Sequence, residues 1–320
     1  MDVKEIYDAK ERLKGHIKET PIVYAPNLGE DVYLKVEVLQ DTGSFKLRGA
    51  YNKIATLTDE EAEKGVVACS AGNHAQGVAK SATERGIRSI ICMPFHAPLS
   101  KVQATKNYGA EVELVKDSFD DAAAYAAKLS KEEGLTFVAP FDDEKVIAGQ
   151  GTIGLEILEK LPDTDIIVVP IGGGGLISGI AVAAKSINPN IKIIGVQTKI
   201  SPSMYESIKE GKIITVKGGS TIADGIAVKT PGKLTFDLVK EYVDDIVLVT
   251  EGEISSAILT LLEKNKIITE GAAASTVAAL MYKKFSHKGK KVCCVLSGGN
   301  IDVTRVSKVI EKGLFKTNRR

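Results

Sequence analysis

Apolar and β-branched residues cluster into short runs at Val32 to Val38, Gly65 to Cys69, Ser89 to Met93, Glu111 to Val115, Ile166 to Ile171, Lys192 to Val196, Ile246 to Val249 and Lys291 to Leu296. Runs of this length and make-up predict β-strands. Between most of them lie helix-length segments such as Asp120 to Glu132, Ile153 to Leu161, Leu176 to Ile187, Glu251 to Glu263 and Ala272 to Phe285. The alternation predicts an α/β fold with parallel sheets covered by helices on both faces. No low-complexity linker or tandem repeat divides the chain, so any boundary has to be inferred from motifs.

The 320 residues suffice for two domains or one large two-lobed unit. Hydrophobic residues make up 44% and charged residues 26%, an ordinary soluble balance, and no stretch approaches the roughly 20 apolar residues that span a bilayer. With 42 basic and 41 acidic residues the net charge is +1, which provides no global field for nucleic acid or anionic lipid. No nucleic-acid or membrane partner is expected. The start, Met1-Asp2-Val3-Lys4-Glu5-Ile6, is charged and amphipathic rather than secretory. A cytoplasmic protein is therefore expected, with the basic end Lys316 to Arg320 as a solvated tail. Cys69, Cys92, Cys293 and Cys294 stand in apolar runs without metal-ligand spacing, and read as buried free thiols.

Four segments carry unusual residues, each at a strand end or helix start, where parallel sheets bind ligands. Gly43-Ser44-Phe45-Lys46-Leu47-Arg48-Gly49-Ala50 sets a lysine at a helix start, where a cation is disfavoured and an amine becomes a better nucleophile. By itself, Lys46 reads rather as a solvated surface lysine, since exposed lysines are the rule. Cys69-Ser70-Ala71-Gly72-Asn73-His74-Ala75-Gln76-Gly77 closes a strand with small residues and opens a helix, so its backbone N–H groups could receive a carboxylate or phosphate. Asn73 could also be no more than a helix cap.

Pro170-Ile171-Gly172-Gly173-Gly174-Gly175-Leu176 places four glycines between the most apolar strand and a helix. That pattern reads as a phosphate cradle, since a plain turn needs only one or two glycines. It is neither the dinucleotide fingerprint nor a P-loop, so nicotinamide and nucleoside triphosphate readings lose ground. Leu296-Ser297-Gly298-Gly299-Asn300 is a fourth strand-to-helix junction.

In this order the segments resemble the fold-type II pyridoxal-phosphate enzymes, from about Ile6 to the C-terminus. Within them the chain most resembles the short threonine dehydratases, or threonine ammonia-lyases, through Ser220-Thr221-Ile222-Ala223-Asp224-Gly225-Ile226-Ala227-Val228-Lys229, Pro231-Gly232, Tyr242-Val243-Asp244-Asp245 and Glu270-Gly271-Ala272. The resemblance implies a tryptophan-synthase-β-like fold with two lobes, each built on a mainly parallel sheet. Residues 1–46 and 146–320 would form the large cofactor lobe, and residues 47–145 a small mobile lobe carrying the substrate loop.

It implies pyridoxal 5'-phosphate as cofactor and Lys46 as its Schiff-base lysine, with Phe45 packed nearby. The backbone of Gly172, Gly173, Gly174, Gly175 and Leu176 would hold the phosphate. Asn73 would face the phenolic oxygen, Ser297 the ring nitrogen, and Glu270 would border the cofactor. Ser70, Ala71, Gly72, Asn73, His74 and Gly225 would meet the substrate. A serine partner leaves the ring a milder electron sink than an aspartate would. The reaction implied is dehydration of threonine to 2-oxobutanoate and ammonia, and of serine to pyruvate, with the freed Lys46 amine removing the Cα proton. The preference between those substrates turns on one methyl group, worth only about 1–3 kcal/mol.

Similar serine racemases have a second serine where this chain has Ala71, so a proton donor for the opposite face of Cα is missing and dehydration is favoured. They also use acidic metal ligands after the strand matching Lys192 to Val196, where this chain reads Gly195-Val196-Gln197-Thr198 and then Ser201-Pro202-Ser203-Met204, with no carboxylate until Glu206, so no metal is expected. No room remains for a C-terminal regulatory domain, and isoleucine feedback is not expected. Relatives are dimers or tetramers, which implies a homo-oligomer. The alternatives are a serine racemase, another β-eliminating lyase, or a metabolite-binding protein with an idle Lys46.

Overall fold

The computed structural model describes residues 1–116 and 118–316; of the basic end expected as a solvated tail, residues 317–320 lie outside them. Ten strands among these residues form two sheets. The larger contains β1 (Ile22–Tyr24), β2 (Val32–Val36), β7 (Ile166–Pro170), β8 (Lys192–Thr198), β9 (Asp245–Val249) and β10 (Val292–Leu296), in the order β1-β2-β10-β7-β8-β9. Only β1 runs antiparallel to its neighbour. The smaller contains β3 (Val66–Cys69), β4 (Ser89–Pro94), β5 (Glu111–Val115) and β6 (Thr136–Phe137), all parallel, in the order β5-β4-β3-β6.

The connecting helices are α1 (Val3–Leu13), α2 (Lys46–Ala55), α3 (Asp59–Lys64), α4 (Asn73–Glu84), α5 (Leu99–Asn107), α6 (Phe119–Glu133), α7 (Glu144–Lys160), α8 (Gly175–Ile187), α9 (Ser203–Glu210), α10 (Lys233–Tyr242), α11 (Glu251–Thr260), α12 (Gly271–Met281) and α13 (Val303–Lys316). Helices cover both faces of the larger sheet. Along β7, Ile166 and Val168 join a cluster with α11 and α12, while Ile167 and Val169 join one with α7 and α8. Burial on both faces is why this strand is continuously apolar rather than alternating. None of the helices among the described residues is long and apolar enough to cross a membrane.

All eight expected strands are present, with ends that shift for identifiable reasons. β2 stops at Val36 because Glu37 opens a 3₁₀ turn and sends its carboxylate inward to Arg48, with N–O distances of 2.8 and 2.9 Å. β1 and β6, of three and two residues, were too short for a periodic signal. The helix expected from Ile153 begins at Glu144, capped by Asp143, whose Oδ1 accepts from the N–H groups of Lys145 and Val146. Its glycines look unfavourable for a helix, yet they permit close crossings. A Cβ at Gly149 would lie 2.6 Å from the Arg48 carbonyl oxygen, and one at Gly151 would lie 2.8 Å from that of Gly179. The helix expected to Glu263 is regular only to Thr260, then widens into a π turn over Leu261–Asn265. The one expected to Phe285 ends at Met281.

Chain order reverses between β10 and β7, which are direct neighbours in the larger sheet. Such a switch point opens a crevice beyond the strand ends. The glycine run follows β7 and Ser297 follows β10, so two segments far apart in the chain emerge side by side.

Candidate active site

At the end of β7 the chain turns through the glycines into α8. Gly174 is the N-cap, with φ +103°, a left-handed conformation that favours glycine. Space restricts the loop as well: a Cβ on Gly173 would lie 2.4 Å from the Phe141 ring, and one on Gly174 would lie 2.8 Å from Thr235 and Met204. The first bond of this helix runs from the Ser178 N–H to the Gly174 carbonyl. The N–H groups of Gly175, Leu176 and Ile177 precede it, so they and the helix dipole are available to an anion.

Lys46 is the first residue of α2. Its preceding backbone is laced to the end of β10: Phe45 N–H donates to the Ser297 carbonyl at 3.0 Å, Gly299 N–H to that of Gly43 at 2.9 Å, and Ser44 bridges Gly298. Four buried side chains anchor the helix from below, with Arg48 paired to Glu37 and Glu156, and Lys35 paired to Glu156. Lys46 Nζ donates to the Pro140 carbonyl at 2.5 Å and stands 5.3 Å from the Phe45 ring centre. Burial lowers its pKa to about 8, against the opposing charge of Glu270. The sequence suggested the helix start as the cause; desolvation is the larger one.

Above β3, Gly72 caps α4 and Asn73 is its first residue. Ser70 Oγ accepts from the Gly72 N–H at 3.2 Å. The His74 ring turns away from the loop, with Nε2 2.8 Å from the Val138 carbonyl, and burial drops its pKa to about 3. His74 is therefore neutral, and its Nδ1 is buried without a hydrogen-bond partner. The Asn73 amide donates to both Glu270 oxygens, at 2.9 and 3.0 Å, and its own oxygen accepts from Asn300 at 2.7 Å. The group that the resemblance turns toward a phenolic oxygen is here turned toward Glu270. Burial raises the Glu270 carboxyl to about 7; Asn73 opposes that shift and Asp224 adds to it. Gly225 is exposed, and a Cβ on it would lie 3.5 Å from Glu270 Oε1. Ser297 is buried at the end of β10. The four cysteines are buried and free.

A half-buried amine, a glycine-lined helix start and a buried carboxyl thus converge at the switch point. A family profile described as "Pyridoxal-phosphate dependent enzyme" matches residues 13–298. This chain belongs to that family. The pyridoxal-phosphate enzyme is 54% identical to the L-threonine ammonia-lyase of Thermotoga maritima over 99% of its own length and 80% of the relative's. It is 50% identical to the catabolic L-threonine dehydratase TdcB of Escherichia coli K12, covering 96% and 95% of the two chains. The structure of maize serine racemase superposes with a TM-score of 0.92 at 36% identity, covering 99% of each chain.

The residues fit the family's cofactor. Lys46 offers an amine of lowered pKa, the loop before α8 offers N–H groups without side chains in the way, and Phe45, beside Lys46, is tied to Ser297 by a backbone hydrogen bond. Sequence reasoning missed the segment Pro140-Phe141-Asp142, which receives Lys46 Nζ, covers Gly173 and caps α10 through Asp142. Its only local signal was a cluster of helix-capping aspartates. Lys101 was also missed; its Nζ pairs with Asp224 at 3.1 Å, joining α5 to the turn that holds Gly225.

Proposed function

We propose that this enzyme is a threonine ammonia-lyase, converting L-threonine to 2-oxobutanoate and ammonia and L-serine to pyruvate. The observation that carries this reading is the agreement of 54% and 50%, over nearly the whole chain, with relatives named for the deamination or dehydration of threonine. The expected site residues supply the parts. Bound pyridoxal phosphate supplies an electron sink that acidifies the α-carbon proton of an attached amino acid. The phosphate is assigned to the N–H groups from Gly172 to Leu176, and the covalent attachment to Lys46.

With a pKa near 8, about one Lys46 amine in ten is neutral at pH 7, against roughly one in three thousand for an ordinary lysine. Lys46 Nζ is thus the group fitted to take the α-proton. The Ser70–His74 segment presents backbone N–H groups to a substrate carboxylate, with Asn73 held in place by Glu270 and Asn300. Residues 47–145 are assigned as the lobe that closes over the cleft and excludes water. The enzyme is proposed to act in the cytoplasm as a homodimer or homotetramer, an assembly that light scattering on the purified protein measures.

Racemisation is the second reading, favoured by the superposition on a serine racemase. Ala71 opposes it, having no proton to give the far face of Cα. A 2-oxo-acid assay with threonine and serine, with Lys46→Ala as control, decides the matter. Turnover retained in that variant, or D-serine formed faster than pyruvate, would overturn the proposal.

A further inference from the structure

Two buried side chains hold the glycine loop from behind. Thr235, in the first turn of α10, donates its Oγ1 hydrogen to the Gly173 carbonyl at 2.6 Å. Gln197, near the end of β8, donates Nε2 to the Ile171 carbonyl at 3.3 Å, while its Oε1 accepts from the Tyr205 N–H at 2.8 Å. Both residues are fully buried, and neither stands in any segment assigned above to cofactor or substrate.

A peptide unit is planar and trans, so a carbonyl drawn one way points the next residue's N–H the other way. Holding Ile171 O therefore directs the Gly172 N–H, and holding Gly173 O directs the Gly174 N–H. Without such ties a run of four glycines has more backbone freedom than any other sequence, and its N–H groups would face an anion only part of the time. Thr235 is itself fixed, because Asp142 accepts its backbone N–H at 3.1 Å and that of Lys233 at 3.0 Å. Asp142 adjoins Phe141, whose ring covers Gly173. The back of the loop is thus a rigid wall.

We propose that Thr235 and Gln197 are positioning residues for the cofactor phosphate, which draw the carbonyls of Gly173 and Ile171 backward and so preorganise the loop's N–H groups as an anion cradle. The proposal rests on the reading of Gly172 to Gly175 as the phosphate-holding segment.

The test titrates the apoenzyme with pyridoxal phosphate and, separately, with pyridoxal, which lacks the phosphate, and records the thermal midpoint of each apoprotein. Thr235→Val keeps the shape and removes one hydrogen bond, and is expected to weaken pyridoxal-phosphate binding about tenfold. Pyridoxal affinity should stay as in the parent while the apoprotein midpoint falls only slightly, since the Gly232 N–H still reaches the Gly173 carbonyl, and Thr235→Ser should restore the loss. Gln197→Leu should act in the same direction, and the double variant should bind more weakly than either single one. If Thr235→Val and Gln197→Leu both keep the parent's preference for pyridoxal phosphate over pyridoxal, the proposal is wrong. Equal loss of both ligands with a lowered apoprotein midpoint also overturns it, by showing a merely structural role. Gly174→Ala separates the two levels: if it leaves the preference intact, the phosphate-loop reading itself has failed. If it abolishes the preference while Thr235→Val does not, only the positioning role has failed.

Discussion

The Asn73 amide nitrogen lies 2.9 and 3.0 Å from the two oxygens of Glu270, joining residues 197 positions apart. Asn73 opens the helix that follows the smaller sheet's β3, and Glu270 caps the helix that packs beneath the larger sheet. The contact therefore spans the crevice between the sheets. It also sets a titratable group beside Lys46, since Glu270 raises the lysine's pKa while burial lowers it further.

Glu270 gives the first prediction. Its carboxyl moves from 4.5 to about 7 on folding, chiefly through burial, so the folded state binds the proton more tightly. The resulting stability is complete below pH 4.5 and is lost as pH rises through 7. A shift of this size corresponds to on the order of 3 kcal/mol. Denaturant unfolding of the apoprotein should show the parent losing stability relative to Glu270→Gln between pH 5 and 8. A constant difference across that range would contradict the assignment.

Lys46 gives the second. Its amine in the apoprotein should react with an acylating reagent along a curve centred near pH 8, while exposed lysines continue to gain reactivity toward their ordinary value of about 10.4. Peptide mass spectrometry across pH reads both in one sample. A Lys46 midpoint coinciding with the exposed lysines would refute the burial argument.

Arg48 gives the third. It bonds Glu37 and Glu156 in a fully buried cluster, and removing one partner of such a cluster typically costs about 3–5 kcal/mol. Arg48→Ala should lose stability on that scale, and Arg48→Lys should recover only part, because the flat two-sided fork is absent. Burial pushes Glu156 up, but Arg48 and Lys35 together hold it below its ordinary value. That contribution is present above pH 4.5 and is lost as pH falls through the lowered folded value, so the parent should weaken in acid more steeply than the variant. Chemical denaturation at pH 7 and at a series of lower pH values measures both effects.

Ala71 gives the fourth. On the proposed reading residue 71 faces the side of Cα opposite Lys46, so Ala71→Ser is expected to form D-serine from L-serine where the parent forms pyruvate. Chiral chromatography of the reaction mixture compares the two. An unchanged product ratio would mean that a group other than residue 71 controls the outcome.

The strands, their parallel arrangement and the chemistry-bearing segments were legible in the chain because each is local. β-branched runs announce strands, and four consecutive glycines announce a close backbone approach. Helix α7 was legible only in part, since Gly149 and Gly151 lower its propensity for reasons that lie in the neighbouring helices. Pro140, Phe141 and Lys101 carried no local mark of a role.

By itself, then, the sequence determined the alternating elements, the buried thiols and the order of motifs that marks the family. Only the tertiary structure decided what surrounds them. Lys46 reads from its own neighbours as an ordinary surface lysine; its lowered pKa comes from desolvation by distant segments, and its hydrogen-bond partner, Pro140, lies 94 positions away. Glu270 is likewise raised by enclosure. Burial is a sum over the whole fold, and the hydrogen bonds that orient the glycine loop come from β8 and α10, so neither is encoded in any one stretch of chain.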